Sequence, residues 1–281
     1  MTPYNFGDEY FNEEEYLLAN PDIADAVKKD LIKSGRSHYD TYGKNENRKL
    51  RLFPSVRSVL RLYISGNGIE IGALQMPLDI SGLPVTNIKY VDRLTIDELR
   101  KQYPELSDLK LVQVDIIDNG EILSKIENES LDFIIANHFI EHARNPMGTI
   151  ENWLFKLRPN GIIFMAVPDK HYTFDINREL TPLQHLVSDY CSNPQERFVP
   201  DRQHFVEWAT FVNNLPAEEV ESRANFLMEI DYSIHFHTFT LQSFLEMLNY
   251  LRQERKLPFV LKACADTIHG SNEFLLVLMR T

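Results

Sequence analysis

The chain has 281 residues and a formal net charge of −12, with 43% hydrophobic and 25% charged residues. That apolar content excludes disorder as the main state, and the acidic balance argues against a duplex nucleic acid partner, which would select a basic face. The longest purely apolar runs, residues 162–167 and 274–279, are six residues each, against the roughly 20 that a membrane-spanning helix requires. The length allows one large domain or a domain with an appendage. The first residues lack a basic stretch followed by an apolar core, so no secretory signal is expected. Cys191 and Cys264 offer neither a metal spacing nor a disulfide framework, which fits a reduced, cytoplasmic setting.

In chain order, residues 1–50 read as a small helical appendage and 51–281 as the main domain. Asn20-Pro21-Asp22 is a helix start, with Asn20 as cap, Pro21 in the first turn and Asp22 at the positive helix end. Ile23, Ala24, Val27, Leu31 and Ile32 share a helical face. Gly35 and Gly43 read as stops for that helix and for a short one over 37–42. So small a piece is expected to lack a core of its own. Tyr10, Phe11, Tyr16, Tyr39 and Tyr42 are expected to pack the appendage on the main domain rather than to stack on sugar.

From residue 68, short apolar runs alternate with helical stretches. Strands are expected at 69–71, 88–91, 109–114, 131–136 and 161–167, and helices at 94–102, 117–126 and 146–157. This alternation predicts an α/β fold, a doubly wound, Rossmann-like parallel sheet. Residues 171–235 break the rhythm and read as a helical insertion. An amphipathic helix over 240–251 follows. The strands 259–265 and 273–280 close the chain as an antiparallel hairpin around His269-Gly270-Ser271-Asn272.

Ligands of open α/β sheets bind beyond the carboxyl ends of the strands. Those ends carry Glu70-Ile71-Gly72-Ala73, Val91-Asp92-Arg93, Val114-Asp115-Ile116, Asn137-His138-Phe139-Ile140-Glu141-His142 and Val167-Pro168-Asp169-Lys170-His171. Gly72 and Ala73 let backbone approach a bulky ligand. Asp92, past the second strand, is placed to accept two ribose hydroxyls, and Asp115 to reach an adenine amino group. Each acid also has a plain reading as a helix cap; the ordered set favours a nucleoside ligand. A nicotinamide site is disfavoured, because Gly66 and Gly68 fall before the first strand and only Gly72 follows it.

These segments, with Leu157-Arg158-Pro159-Asn160-Gly161, resemble the class I S-adenosylmethionine-dependent methyltransferases. The run from Ala166-Val167-Pro168-Asp169-Lys170 through Tyr172-Thr173-Phe174-Asp175 to Leu180-Thr181-Pro182-Leu183, and Ile234-His235-Phe236-His237-Thr238-Phe239, are similar to a bacterial subgroup associated with glycosyltransferases and surface-polysaccharide synthesis. The resemblance implies a seven-stranded sheet whose last strand inserts antiparallel, S-adenosyl-L-methionine as cofactor and S-adenosyl-L-homocysteine as product. It implies that Glu70, Gly72 and Ala73 shape the methionine pocket, that Asp92 and Arg93 flank the ribose, and that Asp115 and Ile116 border adenine. Asn137 and His138 would line the path to the acceptor.

The expected reaction is methyl transfer to a small-molecule or glycan-linked acceptor, at oxygen, with the insertion over the acceptor. An oxygen acceptor needs a base, and Asp169, His171, His204, His235 and His237 are candidates. His235 and His237, two apart, would share a face of an extended segment; that spacing with Asp169 also suits a metal, although no metal is expected. His142 reads as structural, and His38, His185 and His269 as packed or solvated. The competing reading is a non-catalytic module of the same fold that docks a glycosyltransferase. A nucleic acid methyltransferase is disfavoured by charge and by the lack of an Asn-Pro-Pro-aromatic tetrapeptide after the fourth strand.

Overall fold

A computed structural model of the protein describes residues 11–46, 48–50, 55–192, 202–268 and 271–281. Tyr10 and the His269-Gly270 turn lie outside the described residues. The chain divides into two compact units, Met1–Val59 and Leu60–Thr281.

The first unit contains α1 (Glu13–Ala19), α2 (Pro21–Lys28) and α3 (Gly35–His38), the last continued by a π-helical turn over Tyr39–Gly43. Asn12 caps α1 by accepting from Glu15 N, and three glutamates occupy its first turn, where the helix dipole favours them. Gly35 does not stop a helix as expected. Ser34 caps a new one there, and the Glu13 carboxylate accepts from Gly35 N and Arg36 N at 2.6 and 2.8 Å. The aromatics pack on one another: Tyr16 is fully buried, its ring 5.1 Å from Phe11 and 5.5 Å from Tyr39. Tyr16 Oη lies 2.8 Å from His38 Nδ1. Within the unit these rings thus pack on one another.

Helix α4 (Val56–Leu60) lies in the first unit but for Leu60, and the second unit is built on a seven-stranded sheet. Its strands are β1 (Gly66–Ile71), β2 (Val85–Asp92), β3 (Ile116–Ile117), β4 (Leu131–Asn137), β5 (Leu157–Pro168), β6 (Phe259–Ala265) and β7 (Glu273–Arg280), in the order β3-β2-β1-β4-β5-β7-β6. The pairs β1/β2, β1/β4, β2/β3 and β4/β5 are parallel; β7 runs antiparallel between β5 and β6. This is the expected fold, including the C-terminal antiparallel hairpin. Gly66 and Gly68 lie inside β1 rather than before it.

Two expected elements are absent from their places. Residues 109–114 do not form a strand. Leu111 is buried with Leu99 and Leu106, and Val114 packs on that cluster. The chain first meets β2 at Asp115, whose N–H donates to Tyr90 O and whose carboxylate accepts from Tyr90 N, both at 2.9 Å, and only Ile116 and Ile117 then pair with the strand. Residues 117–126 do not form a helix. The Asp118 carboxylate accepts from Asn119 N, Ser124 Oγ and Lys125 N, and Asn119 Oδ1 accepts from Glu121 N. Such local side-chain bonds satisfy the donors that a helix would have used.

The remaining helices are α5 (Ile96–Gln102), α6 (Pro146–Lys156), α7 (Leu183–Cys191), α8 (Arg202–Glu207), α9 (Ala217–Glu229) and α10 (Leu241–Gln253). Thr95 and Glu98 form a capping box on α5. Asn145 caps α6 ahead of Pro146, and Thr240 caps α10. The main core joins Ile134, Met165 and Leu276 of the sheet to Met147, Ile150 and Trp153 of α6 and to Phe244 and Met247 of α10. The segment between β5 and α10 has a second core of Phe205, Trp208, Leu227, Ile234 and Phe236.

Glu121, in the loop after β3, is 6% exposed and accepts from Arg144 N and Asn145 N at 2.9 and 3.3 Å. Burial outweighs these bonds and pushes its carboxyl up to about 7. The folded value lies above the unfolded one, so the contribution to stability is complete below the ordinary glutamate range and is lost as pH rises through 7. A shift of this size corresponds to about 3 kcal/mol. Glu121→Gln is expected to be more stable than the parent at pH 8 by up to that amount. The advantage should vanish at pH 4.5, as read from urea midpoints at the two values.

Candidate active site

The carboxyl ends of β1, β2 and β4, neighbours in the sheet, carry a set of polar groups. Glu70, in β1 and 1% exposed, accepts from Leu78 N with both carboxylate oxygens, at 2.9 and 3.1 Å. It therefore fastens the loop that leaves β1. That loop turns at Gly72, whose φ of +64° favours glycine. Among the described residues a Cβ there would meet only Phe139, at 3.6 Å, so the backbone is bare on that side. Ala73 O accepts from Met76 N and tightens the same loop. Asn137, at the end of β4, donates to Glu70 Oε1 at 3.5 Å, while its buried Oδ1 meets no donor among the described residues.

Asp92 ends β2. Burial raises its carboxyl above the usual range, partly offset by the backbone N–H of Leu94, which donates to Oδ1 at 3.2 Å. Asp115 and Ile116 stand beside it, but Asp115 Oδ2 is committed to Tyr90 N. Arg93 turns toward the segment after β5. It donates to Tyr103 Oη at 3.1 Å and to Asp231 O at 2.8 Å, and it pairs with the Asp231 carboxylate. Arg144 also pairs with Asp231, and Gln102 donates to Ile230 O and Asp231 O. The turn after α9 is thus clamped to the ends of β2 and α5 and to the loop before α6.

The histidines separate into three groups. In the first, exposed His171 has Nδ1 at 3.1 Å from Asp169 Oδ1, and Asp169, 4% exposed, also accepts from His171 N and Thr267 Oγ1. In the second, His235 Nδ1 lies 2.6 Å from Asp175 Oδ2, and its ring stands edge-on to His142 at 4.6 Å. The third holds His237, 5.1 Å from the His204 ring and 5.7 Å from that of His185. His235 and His237 therefore do not share a face. The segment bends where Phe236 N and His237 N both donate to Glu141 O, which sends the two rings into different clusters, neither with Asp169. His138, with φ of +49°, points its Nε2 at Glu273 Oε2, 2.8 Å away.

Burial pushes His142 down to about 3 and His237 well below the ordinary imidazole value. It pushes Glu141 up, against the opposing charges of His235 and His138. Burial would raise Asp175 too, but the hydrogen bond from His235 and the Arg178 charge hold it low. Sequence reasoning missed Glu141, Asp175 and His185 as members of these groups and read His142 as a plain structural residue. The adjacent Glu141-His142 pair was the local signal. Its partners lie 33 and 93 residues downstream, where only the fold joins them.

No family model and no curated protein matches the chain. Among solved structures it is similar to a Rhodobacter sphaeroides protein described as a candidate zinc-dependent alcohol dehydrogenase, at 14% identity over 81% of this chain and 90% of that one, TM-score 0.47. It is similar to a candidate S-adenosyl-L-methionine-dependent methyltransferase from Methanococcus maripaludis at 12% identity, over 92% and 91%, TM-score 0.38. A candidate S-adenosylmethionine-dependent methyltransferase from Listeria monocytogenes is similar at 9% identity, over 78% and 91%, TM-score 0.43. Likeness at this distance assigns no activity.

Proposed function

We propose that the chain is an S-adenosyl-L-methionine-dependent methyltransferase that acts on a small-molecule or glycan-linked acceptor, at oxygen. The observation that carries this reading is the ordered set at the ends of β1, β2 and β4. There is a bare left-handed backbone at Gly72, a carboxyl at Asp92 and an orphaned buried acceptor at Asn137. These groups fit a ligand with an amino-acid end and a ribose but no diphosphate. Asn137 Oδ1 and Glu70 would receive the ammonium, Gly72 and Ala73 would border the methionine chain, Asp92 would accept from the ribose hydroxyls, and Asp115 and Ile116 would border the adenine. The cofactor supplies an electrophilic methyl group. The protein's part would be to align the acceptor and exclude water; the clamping of the Asp231 turn by Arg93 and Arg144 supports such a role for the segment after β5.

For an oxygen acceptor we assign the base to His171. Its Nδ1 is held by Asp169, which leaves Nε2 to take the proton. His235 and His237 turn into inner clusters and are assigned no proton transfer. Titration calorimetry with S-adenosyl-L-methionine, S-adenosyl-L-homocysteine and NAD tests the cofactor; binding of the first two and not the third is expected. Absence of both would leave a binding module, such as one that docks a glycosyltransferase. Asp92→Ala removes a charged acceptor and is expected to weaken the cofactor by about 2 kcal/mol, near thirtyfold in Kd. Unchanged affinity would take Asp92 out of the site.

A further inference from the structure

Glu141 follows β4 and is 1% exposed, yet neither of its carboxylate oxygens meets a hydrogen-bond donor among the described residues. A buried carboxylate with no donor costs several kcal/mol unless something cationic compensates it. Its nearest polar neighbours are ring nitrogens: His142 Nε2 and His235 Nε2 each lie 3.9 Å from Oε1. That is too long for hydrogen bonds. It suits three donors around a common centre, with all three ligand atoms within 4.8 Å of one another.

The outer contacts fix what these nitrogens offer. His142 Nδ1 lies 2.8 Å from Ile234 O, an acceptor, so Nδ1 carries the proton and Nε2 presents its lone pair. His235 Nδ1 lies 2.6 Å from Asp175 Oδ2, which fixes the same tautomer. Asp175 is held in turn by Arg178 at 2.8 Å. A carboxylate oxygen and two imidazole nitrogens with free lone pairs thus lie within 4.8 Å of one another, and one imidazole is backed by a second carboxylate. That is the outer support metal-binding histidines have.

We propose that Glu141, His142 and His235 bind one divalent transition-metal cation of the zinc type. The donor set is imidazole and carboxylate without thiolate, and three protein ligands leave a position open for water or an acceptor oxygen. His138 stands at the rim, its Nδ1 3.9 Å from Glu141 Oε1, and is not one of the three. The neighbouring group of His185, His204 and His237 does not present the same case. There, His185 Nε2 and His204 Nε2 already lie at hydrogen-bond distance, 3.2 Å apart, and no carboxylate belongs to the set. The proposal does not depend on methyl transfer.

The test uses the full chain, stripped with chelator and titrated calorimetrically with zinc chloride, with cobalt(II) absorption as a second readout. One equivalent of zinc is expected to bind, and cobalt is expected to give visible bands of a low-coordinate site. Glu141→Gln and His142→Gln should abolish both signals, and Asp175→Asn should weaken zinc by about 10- to 100-fold. Should Glu141→Gln fail to fold by circular dichroism, His142→Gln, on a partly exposed ring, gives the same reading. Absence of zinc binding tighter than about 10 μM, unchanged binding in the folded variants, or loss on His237→Gln instead would overturn the assignment.

Discussion

Gly68→Val is expected to prevent the sheet from forming. A Cβ at Gly68 would stand 2.5 Å from the Phe133 ring and closer still to the Phe133 carbonyl oxygen. The obstruction is therefore backbone as well as side chain. Gly68 sits in β1 between Ile88 of β2 and Phe133 of β4, both held by ladders, and Phe133 is fully buried. Neither neighbour can give way without breaking parallel pairing at the centre of the fold. Overpacking a core normally costs about 1–3 kcal/mol; with backbone in the way, more than about 4 kcal/mol is expected, against a total stability of about 5–15. The check is urea denaturation by far-ultraviolet circular dichroism, or the soluble yield if no transition remains. A native-like midpoint would show that β1 and β4 are not packed as closely as described.

Arg178→Met is the second large effect. The Arg178 side chain is 2% exposed. It donates to Asp175 Oδ1 at 2.8 Å, to His235 O at 2.8 Å and to Phe236 O at 3.2 Å. Methionine fills much the same volume but leaves a buried carboxylate and two carbonyls without that donor. Removing one partner of a buried pair costs about 3–5 kcal/mol, whereas replacing both with apolar residues is often neutral. Arg178→Met alone is thus expected to lose about 3–5 kcal/mol, and the Asp175→Leu/Arg178→Met double variant to recover only part of it, because His235 Nδ1 and the two carbonyls still lack partners. Equal losses in both would mean that the carbonyl bonds, not the ion pair, hold the segment.

The centre of the sheet was legible because β4 and the second part of β5 are buried on both faces and read as apolar runs, 131–136 and 161–167. The helices at Pro146 and Thr240 carried local caps that need no tertiary context. The failures lie where side chains replace backbone. Asp115 supplies a ladder acceptor by its carboxylate, so the run 109–114 was free to turn into the Leu99 cluster. Asp118 and Asn119 consume the N–H groups of a would-be helix. That Glu70, Gly72 and Asp92 fall at or just past the ends of strands was legible from the strand pattern alone. The division of the histidines was not. It depends on one bend, at Phe236, set by a carbonyl 95 residues earlier, that of Glu141.

The position of β7 has a consequence for how the chain is made. Synthesis proceeds from the amino end, so β6 leaves the ribosome before the strand that joins it to the rest of the sheet. β6 has its ladder with β7 alone, and β5 waits for β7 on one of its sides. Until residues 273–280 emerge, the apolar edge of β5 and the whole of β6 are open to pairing with other nascent chains. A stalled or prematurely ended translation product of this protein is accordingly a stronger candidate for chaperone capture than its size alone would indicate.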